Sequence, residues 1–509
     1  MGKPDARTTA NPATQTTKDA APVNVEPGPL EAQLCEKSSS PTPQEPFTIF
    51  SSAEKRWIGS VASFGAMFST LSSYIYFPAL EPMARELGVS VSLINLTVTS
   101  YMVVAGIAPA FMGDIADQGG RRPAYIIMFA LAVGSNIGLA LQTSYPALFV
   151  LRMIQSAGIS GSYGAAYGVL ADITTISERG SFVGIMLVFM NSAPSFGPVI
   201  AGALAQQLGW RWIFWFLVIL TGSYFVILLL GLPETQRKVV GNGSIQTRGI
   251  YRSLFDYLTK DRKSGINPRD AGVKRKHHIP NPFKCIQMLF SKGNIAVIMA
   301  GSVTYTVKMT LQTSLAPTCI AVYGLDYLQA GLIYLPSGVG GAIGSYYTGK
   351  LLDKALKRRT SELGTDWTYR RGDDISEFPI EKARFEGLYT LVILSAVSTV
   401  GYGVSLMTRA HITVPLVMQF ISGGATSGIF TMCGTLLTDL NPSASATVQA
   451  SYNIVRCLMA GAAIGIQQPL TDAAGLGWGF GFFGLVMLTA APMGLLLKKY
   501  GMGWRQVRT

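Results

Sequence analysis

The chain has 509 residues, of which 49% are hydrophobic and only 14% charged, and its formal net charge is +13. Its mean hydropathy is +0.33. Soluble domains carry about a quarter charged residues, so this composition excludes an ordinary water-soluble fold and asks for a polytopic membrane protein. The three histidines and five cysteines show no C-x-x-C or Cys/His clustering, which argues against a metal site and a disulfide framework.

Residues 1–50 are rich in Pro, Thr, Ser and Ala and hold no apolar run. They read as a disordered cytoplasmic tail. Met1 opens no cleavable signal peptide, so the first span is the expected targeting signal. Twelve windows then follow, each long and apolar enough to cross a hydrocarbon core of about 20 residues. They run 57–79, 92–112, 124–143, 146–170, 181–206, 211–232, 294–318, 328–350, 387–408, 412–437, 444–467 and 477–498. The expected fold is all-α, twelve transmembrane helices in two six-helix pseudo-repeats. An N-terminal bundle covers 51–232 and a basic cytoplasmic loop 233–292. A C-terminal bundle covers 293–500, with a cytoplasmic insertion at 353–385, and a short cytoplasmic tail covers 501–509.

Charge placement orients the chain. From Pro233 to Lys292 there are 13 Lys/Arg against 4 Asp/Glu, while the alternate connections hold only Arg85, Arg211 and Arg409. That asymmetry puts both termini in the cytoplasm. The basic runs sit at span ends, where topology and anionic lipid explain them better than nucleic acid does. The halves also echo each other. Leu208-Gly209-Trp210 opens span six and Leu476-Gly477-Trp478 opens span twelve; Gln155 and Gln419 stand 264 residues apart. Gly349-Lys350-Leu351-Leu352-Asp353 lies where a degraded copy of the loop between spans two and three is expected. Repeats of this kind describe a secondary transporter with its site near the midplane.

That first loop is the most specific string in the chain. Gly113-Asp114-Ile115-Ala116-Asp117-Gln118-Gly119-Gly120-Arg121-Arg122 reads G-x-x-x-D-x-x-G-R-R between two apolar runs. It is similar to the loop between spans two and three of the major facilitator superfamily. Arg152-Met153-Ile154-Gln155-Ser156-Ala157-Gly158 resembles that superfamily's R-x-x-Q-x-x-G signature. Gly197-Pro198-Val199-Ile200-Ala201-Gly202 resembles its antiporter signature, with Ala201 in place of a glycine. Pro233-Glu234-Thr235-Gln236-Arg237, running on to Ser244, resembles a string of the fungal twelve-span drug:proton antiporters, in particular their quinidine-resistance branch. The resemblance covers about residues 50–500.

The resemblance implies proton-coupled export of small organic molecules. It makes Gly113, Asp117, Gly120, Arg121 and Arg122 a conformational latch, with Asp117 facing the positive N-terminal end of span eleven near Ser443–Ser445. It makes Arg152, Gln155 and Gly158 the proton-coupling set, and Gly197, Pro198 and Gly202 an antiporter hinge. Elementary physics agrees in part: Pro198 removes a helix hydrogen bond, and Arg152 inside a span is costly unless it faces protein or water.

Polar residues at helical spacing within apolar spans mark cavity faces. They name Tyr74, Ser156, Tyr163, Thr304, Tyr305, Lys308, Gln312, Gln419, Asn453 and Arg456 as the substrate cavity. The charges deep in spans are Arg152, Lys308 and Arg456, all positive and with no deep Asp or Glu. Such a site favours an anion or a neutral molecule rich in hydrogen-bond acceptors. No Walker A motif is present, and His277, His278 and His411 are not spaced as metal ligands. The reading is therefore a monomeric transporter, not an enzyme, with no metal or cofactor. Its partners are a small-molecule substrate, protons and the lipid bilayer of the plasma membrane. A vacuolar or other internal membrane, uptake by proton symport, and a non-transporting receptor on the same fold are the alternatives.

Overall fold

Caps and prolines punctuate the chain into helices. Ser51 and Glu54 form a capping box at the start of α1, Ser52–Tyr74. A 3-10 turn at Phe77–Ala79 leads into α2, Leu80–Leu87, which stops at Gly88 in the left-handed region. Ser90 caps α3, Val91–Gln118. Next come α4 (Arg121–Leu141), α5 (Tyr145–Ile159), α6 (Ser162–Ile173), α7 (Ile176–Gln207), α8 (Arg211–Gly231) and a single turn, α9 (Arg237–Val240). The second half holds α10 (Lys292–Tyr323), α11 (Tyr327–Leu332), α12 (Leu335–Glu362), α13 (Ile380–Arg384) and α14 (Leu388–Met407). It closes with α15 (Thr413–Leu440), α16 (Ser445–Leu488) and α17 (Ala490–Gln506).

This computed structural model describes residues 48–174, 176–245, 249–254, 287–362, 378–441 and 445–506. Most of the expected N-terminal tail, and the middle of the central loop and of the 353–385 insertion, lie outside them. Among the described residues there is no strand. Seven helical stretches are long and apolar enough to cross a membrane. One of these runs 60 residues, Thr447–Gln506. At about 1.5 Å per residue it is far too long for a single crossing. Gly475, with φ 80°, interrupts it between the windows 444–467 and 477–498. The segments expected as spans one, four, seven and eight are helical but more polar or broken. They carry Ser, Thr and Gln together with Arg152, which is buried in protein, and Lys308, which is partly exposed.

Two bundles emerge. In the first, α1 packs on α6 and α7, and α4 on α5 and α8; in the second, α15 packs on α12 and α14, and α16 on α10 and α14. The bundles meet along α3 against α16, and α7 against α11 and α12. Bonds across this seam lie from its middle toward the end away from Asp117. Asn453 Nδ2 donates to Ala105 O (2.9 Å), Thr99 Oγ1 to Gly461 O (2.9 Å) and Tyr327 N to Gln206 Oε1 (2.9 Å). At that far end Phe77 also stacks on Tyr334. At the opposite end, which carries Asp117, the ion pairs among the described residues each stay within one bundle.

Candidate functional site

The loop end of the first bundle is tied by a reciprocal pair. Glu234, only 2% exposed, accepts from the backbone N–H groups of Arg121 (2.9 Å), Arg122 (3.2 Å), Thr235 (3.0 Å) and Gln236 (2.9 Å). It thereby caps the N-terminus of α4 with a carboxylate from more than a hundred residues away. Arg122 does the converse, donating to the carbonyls of Leu228, Leu229 and Leu232 at the C-terminus of α8. Burial pushes the Glu234 carboxyl above its ordinary range, although its four N–H donors pull it down. Gly120 must be glycine here: its φ is 111°, and a Cβ would lie 2.5 Å from Glu234 Oε2. Gly113, by contrast, faces open space.

Arg121 bonds Asp117 and, at 2.9 Å, Asp172 at the end of α6. Asp117 is thus held by its own bundle. Of the stretch Ser443–Ser445, where its partner was expected, residues 443–444 lie outside the described residues. Asp172 was missed because an acid at a span end looks like a topology marker. Its counterpart is visible in the second bundle, where Arg384 Nε donates to Asp439 Oδ2 at 2.8 Å. Asp439 lies 267 residues after Asp172, and Arg384 lies 263 after Arg121. These offsets lie within three residues of the Gln155/Gln419 interval, whereas Asp353, in the expected degraded copy, is exposed.

Arg152 is 1% exposed and lies between two aromatic faces, 4.0 Å from the Tyr76 ring centre and 4.2 Å from that of Tyr101. One of its amino groups donates to Gln155 Oε1 and Ser72 O. Gln155 passes the chain on to Asn136 Oδ1 at 2.6 Å. Asn136 is a lone amide in an apolar run, the one signal that could have found it. Gly158 plays a packing part: a Cβ there would press on the backbone of Ala132 and Met128 in α4. Ser156 is buried and donates to Tyr101 O.

The other two deep cations are different, since both are partly exposed. Lys308 Nζ donates to Ser427 Oγ at 3.2 Å. Arg456 donates to Asn453 Oδ1 (2.8 Å from Nη2) and lies over three rings, Tyr305 (4.9 Å), Phe430 (5.1 Å) and Tyr452 (5.5 Å). Its partner Asn453 donates to Ala105 O of the first bundle, and Tyr74 of that bundle donates to Met309 Sδ, next to Lys308, at 3.5 Å. Tyr305, Asn453 and Arg456 therefore cluster at the seam, with Lys308 one turn along α10 and Tyr74 beside it, while Tyr163 bonds Tyr167 within α6. Thr304, Gln312 and Gln419 do not reach the seam as openly: all three are buried, and Gln312 bonds Ser337. Phe430 escaped notice because an aromatic in an apolar span looks like ordinary packing.

The antiporter-like string packs in two directions. Gly197 lies against Leu71 in α1, and Gly202 against the backbone of Tyr327 and Gly331 at the far end.

A helical membrane protein with two bundles sealed at one end, and a polar, cation-bearing place in the seam between them, has the architecture of a secondary transporter. The Major Facilitator Superfamily model matches residues 62–365, and the chain belongs to that superfamily. It is 38% identical over 479 residues to the MFS-type transporter phiD of a Fungal sp. strain, covering 94% of this chain and 73% of that one. It is 35% identical over 495 residues to Citrate exporter 1 of Aspergillus niger, covering 96% and 93%. Among solved structures it resembles a partially occluded inward-open conformation of the xylose transporter XylE from E. coli. There the TM-score is 0.60 at 15% identity, over 88% of this chain and 98% of that one, a likeness of fold. The protein is a multi-pass membrane transporter.

Proposed function

We propose that this transporter exports a small organic acid, or a neutral metabolite rich in hydrogen-bond acceptors, in exchange for protons by alternating access. The observation that carries this reading is the pair Lys308 and Arg456. Both are partly exposed in the seam, and neither has a carboxylate within ion-pair distance among the described residues. A desolvated cation without a counter-ion is costly. An anionic or acceptor-rich cargo relieves that cost when it binds. Lys308 spends one of its three donors on Ser427, which leaves the others for cargo.

Export is supported by the antiporter-like string at Gly197–Gly202 and by a relative named for citrate export. The seam is shut at the end of Gly202 and Tyr327. With the basic loop end in the cytoplasm, as the charge asymmetry argues, this state takes cargo from the cytoplasm. Proton coupling falls to Arg152 with Gln155, sealed away from the cargo place. The loop held by Asp117, Arg121 and Glu234 sets the balance between states. The expected site of action is the plasma membrane.

Metabolite profiling of cells and medium, with and without the protein, tests the reading. Acidic or acceptor-rich compounds should leave the cells only when the protein is present. Accumulation of the same compounds inside the cells would make it an importer, and no change in either compartment would remove the transport reading for that cell.

A further inference from the structure

The two bundles differ at one matching point. In the first, the ends of α3, α4 and α8 meet at Gly120, a left-handed glycine that precedes α4, and the Glu234 carboxylate fills the junction. In the second, Gly387 occupies the equivalent place. It lies 267 residues on, has φ 83°, and precedes α14. Among the described residues no carboxylate accepts from that helix start in the manner of Glu234. Instead there is a cavity of about 290 Å³ lined by Arg358, Arg359, Lys382, Glu386, Gly387 and Lys498.

Four cations thus face a single lining carboxylate. Arg358 pairs with Glu386, and Arg359 with Glu362. Neither Lys382 nor Lys498 forms an ion pair among the described residues; Lys498 lies over the Tyr389 ring. Arg359 Nε, Tyr389 Oη and Glu386 Oε2 are buried without a hydrogen-bond partner, two donors and one carboxylate oxygen. In the first bundle a carboxylate of the chain fills this junction; in the second, among the described residues, the cations outnumber the carboxylates around the cavity.

We infer that this cavity binds the phosphate of an anionic phospholipid headgroup. Its place beside an exposed apolar helix face favours lipid over a free phosphate. Lys498 ends an exposed apolar stretch of α17, with Leu495 58% and Leu496 42% exposed. Tyr500, stacked on Trp504, follows directly, as aromatic residues do at a membrane interface. An acyl chain lying along Leu495 and Leu496 brings its headgroup to the mouth of the cavity. The bound phosphate ties the ends of α12, α14 and α17 as Glu234 ties the first bundle.

The test uses the full chain in nanodiscs and native mass spectrometry of retained lipid. Each basic residue near a charged surface contributes roughly fivefold in affinity. Wild type should retain phosphatidylserine or phosphatidylinositol 4-phosphate in preference to phosphatidylcholine. The double variant Lys382→Gln/Lys498→Gln should lose that preference by about 25-fold. Lys292→Gln, which removes the same kind of charge from outside the cavity, should keep it. If the double variant does not purify, Lys382→Gln alone should lose about fivefold. Equal retention of anionic and zwitterionic lipid by wild type, or an unchanged preference in the Lys382 variants, overturns the site. Protection from heat by inositol phosphate as strong as that by the lipid overturns the lipid as its occupant.

Discussion

Gly202→Ala should push the transporter out of the conformation seen here. A Cβ at Gly202 would lie 2.3 Å from the carbonyl oxygen of Tyr327 and 3.1 Å from the Cα of Gly331. Ordinary contact begins near 3.4 Å, so α7 and α11 would have to part by about 1 Å. Both neighbours are backbone atoms, which cannot swing aside as a side chain can. Overpacking of this kind costs about 1–3 kcal/mol. The cost falls only on the state in which the far end is shut, because opening that end separates the two helices. A cost of about 2 kcal/mol shifts the ratio of the two states by roughly 30-fold. The assay is a spin-label distance across the far end, with labels at Leu93 and Asp472, on the purified protein in nanodiscs. The variant should move the distribution to longer distances and lower transport. Gly222→Ala, where a Cβ meets open space, should do neither. An unchanged distance distribution in Gly202→Ala, with full transport, would refute the view that this contact is the far gate.

Two further outcomes follow from buried polar groups. Glu234→Gln fixes this group in a neutral form, so the variant's melting temperature should lie nearest to wild type at low pH, where the wild-type carboxyl is itself protonated, and the two should part as pH rises. Because burial raises the Glu234 carboxyl above 4.5, its contribution to stability is fullest below that pH and is lost as pH rises through the raised value. The variant should lose this part of the pH dependence, and a melting curve that keeps it would place the titration elsewhere. Arg152→Lys retains charge but gives up two ring faces and the bond to Gln155, each ring being worth about 0.5–2 kcal/mol. Proton-driven efflux should fall at least about tenfold while exchange without a gradient persists. Full coupled transport by the lysine variant would leave Arg152 as a packing residue.

What the sequence made legible is what short-range chemistry fixes. The ten residues Gly113–Arg122 announce a tight reversal, because glycines and charges between two apolar runs allow little else. The cations in spans were visible because charge inside hydrocarbon is rare. What escaped was pairing at long range. The loop and the string at Pro233–Arg237 were both conspicuous, yet nothing local says that Glu234 caps the helix that the loop begins. The three deep cations looked alike in sequence. Folding separates them: Arg152 is walled in by Tyr76 and Tyr101, while Lys308 and Arg456 look onto the seam. Whether a Lys or Arg in a span is sealed or wet depends on which helix faces it, and the spacing along one span does not carry that.

The central claim is that Lys308 and Arg456 recognise cargo by its negative charge or its acceptors. Proteoliposomes with an imposed proton gradient test it most directly, loaded with a labelled di- or tricarboxylate or with a lipophilic quaternary ammonium ion. Wild type should move the acid and leave the cation. Lys308→Ala should weaken acid transport far more than Lys308→Arg, and Lys308→Glu should turn the preference toward the cation, since the reversed charge repels the one and attracts the other. Movement of acid and cation at the same rates by wild type and by all three variants would contradict the account.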